Sequence, residues 1–349
     1  MSSLKDRLTA MIRASGPMPV SAFMDVCLHD PQDGYYARRP GLGRDFITAP
    51  ETSQVFGELI GLWAAHEWQA LGSPPRFNLV ELGPGRGTLM GDGLRAAQKV
   101  PGFHAALKLH FVEASPLLRT HLSDTMSAFN PVFADQLTHI DNGPTLILAN
   151  EFLDCLPVRQ FARTGGHWHE RVVGLDAAGA LSFGLAADAA PSPVAGEDVS
   201  TLEIQPGLDV LVDTLKLRLE RDGRFRALFI DYGPAETAPG DTLRAYQNGE
   251  QVHPLAAPGL SDLTADVDFL RLKKLAEAAG LHVHGPQPQG DFLMRLGAQE
   301  RLDRLIKSHP DKAKSLYDGV ARLVDPAQMG HRFNVLCISS PDLPAPAGL

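Results

Sequence analysis

The chain has 349 residues, 44% of them hydrophobic and 21% charged, with a formal net charge of −9. That length and apolar content can bury a large core, as one elaborated domain or a domain plus an insert. The negative balance argues against a general nucleic-acid or anionic-membrane surface. Three isolated cysteines, Cys27, Cys155 and Cys337, provide neither a disulfide framework nor a C-x-x-C metal site.

No apolar run reaches the roughly 18 residues of a membrane-spanning helix. The polar N-terminus, with Leu4, Leu8, Met11 and Ile12 at helical spacing, lacks the apolar middle of a signal peptide. A cytoplasmic, bacterial location is the expectation. Residues 1–30 read as two short helices separated by Gly16-Pro17-Met18-Pro19, with Ser21 capping the second, Ala22 to Leu28. His29 to Tyr36 is turn-rich. Residues 37–47 are glycine-rich and basic, with Arg38, Arg39 and Arg44, as in a solvated connection or a flap over a pocket. Thr48-Ala49-Pro50-Glu51 fits a capping box with proline in the first turn. It opens a helix carrying Val55, Leu59, Leu62, Trp63 and His66 on one stripe.

Phe77 to Leu82 reads as a buried strand, followed by Gly83, Gly85 and Gly87 and then by a helical pattern of Leu89, Met90 and Leu94. Glycine tolerates φ > 0 and leaves backbone N–H groups open to a ligand. The dinucleotide fingerprint is G-x-G-x-x-G. Here the spacing is G-x-G-x-G, with Thr88 where the third glycine would stand and Glu81 ahead of the turn. A carboxylate there suits the cationic amino end of S-adenosylmethionine better than a pyrophosphate. Leu109 to Glu113 is a second strand whose terminal acid lies 26 residues beyond Gly87. That acid is placed for ribose hydroxyls, or for a cap ahead of Ser115-Pro116. Val132 to Asp135 is a third strand ending in an acid. Thr145 to Ala149 is a strongly buried strand running into Asn150-Glu151-Phe152-Leu153-Asp154. Two carboxylates at the end of a central parallel strand sit where open α/β sheets place active sites. The plainer reading is a capped helix start at Glu151 with Asp154 on the surface.

Val158 to Phe161, His167 to Leu175 and Ala180 to Leu185 resemble antiparallel strands of an insert over 158–205, with 177–199 largely loop. Pro206 to Asp222 is a helix with Leu208, Leu211, Val212, Leu215 and Leu219 on one side. Ala227 to Asp231 is a buried strand ending at Tyr232-Gly233. Asp262 to Phe269 leads a helix ending near Gly280, residues 291–323 are helical, and Phe333 to Ile338 is a last strand. Alternating strands and helices argue for a mostly parallel sheet with helices on both faces. The chain divides into 1–54, 55–157, the insert 158–205, 206–340 and a disordered tail at 341–349.

Several blocks carry a family resemblance: Phe46 to Glu51 with Ser53 to Glu58, Val80 to Thr88, Ala149 to Phe152 with Asp154 and Leu156-Pro157, Ile230 to Gly233, and Asp262 to Phe269. Together they resemble the MidA-like family of S-adenosylmethionine-dependent methyltransferases. The resemblance implies a class I methyltransferase fold of the α/β type: a Rossmann-like seven-stranded sheet with an N-terminal helical extension and an inserted antiparallel β segment. It implies S-adenosyl-L-methionine as cofactor and S-adenosyl-L-homocysteine as product. It also implies a protein substrate, with symmetric dimethylation of arginine on a core subunit of respiratory complex I, as in the mitochondrial members.

The cofactor residues are then Glu81, Gly83, Gly85, Gly87, Thr88, Glu113, Asp135 and Asn150. Glu151 and Asp154 are the catalytic candidates, because a guanidinium stays protonated at working pH and needs carboxylates to orient it. Thr48, Pro50, Glu51, Asp231 and Tyr232 are candidates for the substrate side or lid. Spacing does not choose among the acids Glu51, Glu151, Asp154 and Asp231, and no metal is expected. The alternatives are methylation of a small molecule or another side chain, or a cofactor-binding assembly chaperone without essential turnover.

Overall fold

The computed structural model describes residues 3–38, 48–191, 199–236 and 240–349. Arg39 and Arg44, and with them most of the anticipated flap, lie outside the described residues.

The framework is a seven-stranded sheet. Its strands are β1 (Phe77–Leu82), β2 (Leu107–Val112), β3 (Val132–Ala134), β4 (Thr145–Asn150), β5 (Phe225–Tyr232), β6 (His282–Pro288) and β7 (Phe333–Ser339). The order across the sheet is β6-β7-β5-β4-β1-β2-β3. The pairs from β5 through β3 are parallel, while β7 runs antiparallel to both β5 and β6. Strand order reverses beside β1 and β4, so their C-terminal ends frame a crevice.

Side-chain alternation explains why both faces are covered. Leu79, Leu146, Leu148, Leu228 and Ile230 point to one core, with the helices Gln54–Ala70 and Thr88–Ala97. Val80, Leu82, Ile147, Ala149, Ala227 and Phe229 point to the other, with Pro206–Asp222 and Phe269–Ala278. Gln54–Ala70 and Thr88–Ala97 touch backbone to backbone. A Cβ on Gly61 would lie 2.2 Å from the Gly93 Cα.

Two excursions leave the C-terminal edge. After β4 comes an antiparallel sheet of Arg159–Thr164, His167–Leu175, Leu181–Leu185 and Thr201–Ile204, joined by Met18–Pro19 from the N-terminus. After β5 comes a three-stranded sheet, Arg244–Gln247, Glu250–Val252 and Asp262–Thr264. A third core unites these excursions with the helices Leu4–Ser15 and Val20–His29.

Several expectations are corrected. The second helix begins at Val20, without a side-chain cap from Ser21. Asp262 lies in a strand; the helix that follows starts at Phe269 and is capped by Asp268. Leu62 is exposed and His66 reaches solvent, so the buried stripe of their helix is Val55, Leu59 and Trp63. The segment 341–349 is packed rather than disordered. Trp63 Nε1 donates to the Ala347 carbonyl at 3.1 Å, the Ala347 N–H to Glu67 at 2.9 Å, and Gln287 Nε2 to the Gly348 carbonyl at 2.6 Å. Glu67 is itself buried against the Arg226 guanidinium, which also reaches the Pro344 carbonyl. Deleting 341–349 strips partners from these buried groups, so stability should fall by at least about 2 kcal/mol. Urea unfolding checks this; an unchanged midpoint contradicts the strap.

Candidate active site

The site begins with the turn after β1. Gly83, Gly85 and Gly87 have φ of +62°, +54° and +76°, a region where a Cβ is strained. A Cβ on Gly83 would also stand 3.0 Å from the Phe152 ring. Gly87 does not line the cavity and is corrected to a packing role. It starts the helix Thr88–Ala97, and a Cβ there would meet Leu122 Cδ2 at 2.7 Å.

The second component is the turn after β4. Asp231, at the end of neighbouring β5, is 1% exposed. Its Oδ2 accepts the N–H groups of Phe152, Leu153 and Asp154 at 3.0, 2.7 and 3.2 Å, and its Oδ1 that of Tyr232 at 2.9 Å. Burial and the nearby Asp154 push its pKa up, and the amide donors pull against them. With those oxygens engaged, Asp231 is an anchor for the turn and not a substrate-gripping acid, which corrects its place among the candidates. The turn it holds starts with Glu151 at φ +51°, left-handed for a residue with a Cβ.

Glu151 Oε1 accepts the Ala49 N–H at 2.8 Å and the Asn150 amide at 3.1 Å. It therefore caps the short helix Ala49–Thr52 from outside. The Thr48–Glu51 capping box does not form: the Thr48 side chain makes no cap bond, and the helix breaks at Ser53, which caps Gln54–Ala70. Burial pushes the Glu151 pKa up to about 7. Asp154 Oδ2 accepts the Tyr232 hydroxyl at 2.8 Å and the Thr264 hydroxyl at 2.6 Å. Burial raises its pKa and these hydroxyls lower it.

One cavity of about 540 Å³ connects both turns. At one end stand Glu81, Gly83, Gly85, Thr88, Glu113 and Asn150. Glu81 is buried, one oxygen has no partner among the described residues, and burial followed by the charge of Glu113 pushes its pKa up to about 8. Glu113 accepts the Ser115 N–H at 2.7 Å, while Ser115 rather than Glu113 caps the next helix. Asp135 lies at the rim, exposed and paired with Arg119. The other end holds Thr48, Pro50, Glu51, Glu151, Asp154 and Tyr232. Glu51 lies 3.7 Å from Arg86, and burial raises its pKa.

That end has a wall absent from the sequence expectations. On the three-stranded sheet Arg244, Tyr246, Asp262 and Thr264 face the cavity, joined by Thr242 and Asp266 beside its strand ends. Leu243, Ala245, Leu263 and Ala265 are buried behind them in the third core. The signal was a period-two pattern in Leu243-Arg244-Ala245-Tyr246 and in Asp262 to Asp266. Tyr36 joins from the N-terminal region, 3.5 Å from Asp262. Asp266 is paired with Arg332, whose guanidinium lies 5.3 Å from the Tyr232 ring centre. Among the described residues no group of three His, Cys, Asp or Glu is placed to hold a metal, and no helix is long and apolar enough to cross a membrane.

S-adenosylmethionine fits the first end. Its cationic part answers the buried Glu81 oxygen that no described residue partners, and Gly83 and Gly85 line the cavity beside it. Fold and site together define a class I S-adenosylmethionine-dependent methyltransferase. The chain matches, over residues 59–287, a family described as putative S-adenosyl-L-methionine-dependent methyltransferases. It is 38% identical over 372 residues to the Drosophila melanogaster protein arginine methyltransferase NDUFAF7 homolog, mitochondrial, a match covering 96% of this chain and 84% of that protein. It is 35% identical over 360 residues to human protein arginine methyltransferase NDUFAF7, mitochondrial, covering 94% and 81%. A Burkholderia thailandensis crystal structure, described as a superfamily member and "likely methyl transferase" bound to S-adenosyl-homocysteine, aligns with a TM-score of 0.84. That alignment has 27% identity and covers 99% of this chain and 93% of that one. The chain belongs to the MidA-like family of S-adenosylmethionine-dependent methyltransferases.

Glu81 leads to a pH prediction. Without ligand it holds a proton up to about pH 8. A cationic ligand favours its ionised form, so binding releases that proton. S-adenosylhomocysteine, which keeps the ammonium, should bind more tightly as pH rises from 6 toward 8, by up to about tenfold per unit, and level off above. Glu81→Gln should bind weakly with no such slope. Calorimetry across pH checks both; a flat wild-type profile contradicts the role of Glu81.

Proposed function

We propose that the protein methylates the guanidinium of arginine in a protein substrate. The observation that carries this reading is the second end of the cavity. There Asp154 is oriented by two hydroxyl donors beside Glu51, Glu151 and Asp262, with Tyr36, Phe152 and Tyr246 around them. Such a chamber suits a planar, delocalised cation that stacks on rings and hydrogen-bonds carboxylates. The relatives' names, protein arginine methyltransferases, support the same substrate.

Bound S-adenosylmethionine supplies an electrophilic methyl group. The chain's residues align and activate the acceptor. Asp154 grips two guanidinium nitrogens and draws positive charge toward them, leaving a third nitrogen more nucleophilic. Glu151, tied to Ala49 through one oxygen and with its pKa near 7, is suited to receive the proton that nitrogen gives up. The cavity walls hold the side chain in line with the methyl group. The finer reading follows the family resemblance: symmetric dimethylation, with a core subunit of respiratory complex I as substrate.

Asp154→Asn keeps the size and hydroxyl partners but removes the charge. Arginine methylation should fall about 10²-fold, while S-adenosylhomocysteine binding is unchanged. Glu151→Gln should lose a similar factor, because its carbonyl oxygen still accepts the Ala49 N–H. Tyr232→Phe leaves the charge in place and should lose about tenfold or less. Methyl transfer from labelled cofactor, read beside calorimetry, checks the set. Near-normal arginine methylation by Asp154→Asn contradicts the grip.

A further inference from the structure

The wall of the substrate chamber does not end at the chamber. The polar face of the three-stranded sheet continues outward from Asp262 and Thr264 through Tyr246 and Arg244 to the exposed Gln251, which pairs with Tyr246 on the edge strand. Beyond that edge lies a second cleft of about 450 Å³, between this sheet and the strand Leu181–Leu185 of the insert. Its lining includes Gln251, His253, Phe183 and Arg171, and Arg244 lines both cavities. The Phe183 and His253 rings lie 5.8 Å apart across it. One sheet face therefore floors a path from the Asp154 carboxylate to a cleft at the insert.

The charges along this path are uneven. Arg171 is neutralised by Asp241 and stacks 3.9 Å over the Phe183 ring. Arg244 is not neutralised: among the described residues its guanidinium donates to the backbone carbonyls of Asp241 at 2.7 Å and Leu243 at 2.9 Å. It stands directly across the ladder from Thr264, whose hydroxyl holds Asp154 at 2.6 Å. A cation is thus one cross-strand pair from the acid that would grip the target. An extended chain advances about 3.3 Å per residue, so residues about one to three positions from the arginine reach Arg244.

We propose that this face is a substrate track. A polypeptide lies extended across Thr242, Arg244, Tyr246 and Gln251 toward the second cleft, and Arg244 selects an acidic residue close to the target arginine. The proposal rests on the arginine-methylation reading and adds the sequence context of the target. Acids inside the chamber and the Arg244 guanidinium, without a carboxylate partner among the described residues, on its outward path favour an arginine followed or preceded by an acid, and disfavour one flanked by lysines.

The test is a charge swap read as specificity. The wild type and Arg244→Glu are assayed on two peptides with one arginine each, carrying an aspartate or a lysine two positions away, and on a capped single arginine. The wild type should prefer the aspartate peptide by about tenfold in kcat/KM, the scale of exchanging an attractive for a repulsive surface pair. Arg244→Glu should prefer the lysine peptide, and Arg244→Gln should show little preference. S-adenosylhomocysteine calorimetry and thermal unfolding establish that each variant is folded, and the glutamine variant decides if the glutamate one is not. Reversal supports the track. An Arg244→Glu variant with the wild-type preference, or a wild type indifferent to the flanking charge, overturns it and leaves the arginine reading standing. A wild type that methylates none of the three arginine probes overturns both.

Discussion

The site depends on the acceptance of consecutive backbone N–H groups by the Asp231 carboxylate. Strand β4 ends in a turn whose amides at Phe152, Leu153 and Asp154 have no strand partner, and Asp231 answers all of them from β5. A hydrogen bond to a charged group is worth roughly 1.5–3 kcal/mol, enough together to hold Glu151 in left-handed backbone costing about 1–3 kcal/mol. The same turn is tied outward. The Leu153 carbonyl accepts from Gln205 at 2.9 Å and the Asp154 carbonyl from the Ala265 N–H at 3.0 Å. One buried carboxylate therefore sets where the acids of β4 stand and joins the sheet to both excursions.

Around that anchor the chain divides its work. The sheet and its glycine turn build the cofactor end, with Glu81 on β1 and Glu113 just past the end of the adjacent β2. The excursions build the end proposed for the substrate. The three-stranded sheet turns its apolar side chains to the N-terminal helices and its polar ones to the cavity. Asp154 belongs to both halves: its backbone is held by β5, and its carboxylate by Tyr232 and by Thr264 of the excursion. The helix Ala49–Thr52, fastened by Glu151, brings Pro50 and Glu51 to the cavity lining.

The fold was legible where burial leaves a strong apolar signature. Strands β1, β4, β5 and β7 are mostly apolar runs with only one or two polar residues inside them, and the glycines with Glu81 pointed to the cofactor. Strand β6 was not legible, because its residues His282 to Pro288 include Gly285 and Pro286, which ordinarily argue against a strand; the ladder slips there, between His284 and Gln287. The three-stranded sheet was missed because its strands are three or four residues long, too short for periodicity to stand out. Asp231 read as one more acid at a strand end, since only the adjacency of β5 and β4 shows which amides it answers. Thr48 and Glu51 had the spacing of a capping box, but the Ala49 N–H found a carboxylate distant in sequence. The segment 341–349 looked like a tail because its anchors are backbone groups, invisible in side-chain composition.

The central claim is that the Asp231-anchored turn presents Asp154 to a substrate guanidinium beside the cofactor's methyl group. A crystal structure with S-adenosylhomocysteine and an arginine-containing peptide tests it most directly. The account predicts the guanidinium in hydrogen-bond contact with Asp154, between Glu151 and the Tyr36 and Tyr246 rings, with one nitrogen facing the cofactor sulfur. A guanidinium bound elsewhere, with Asp154 still engaged only by Tyr232 and Thr264, would contradict it.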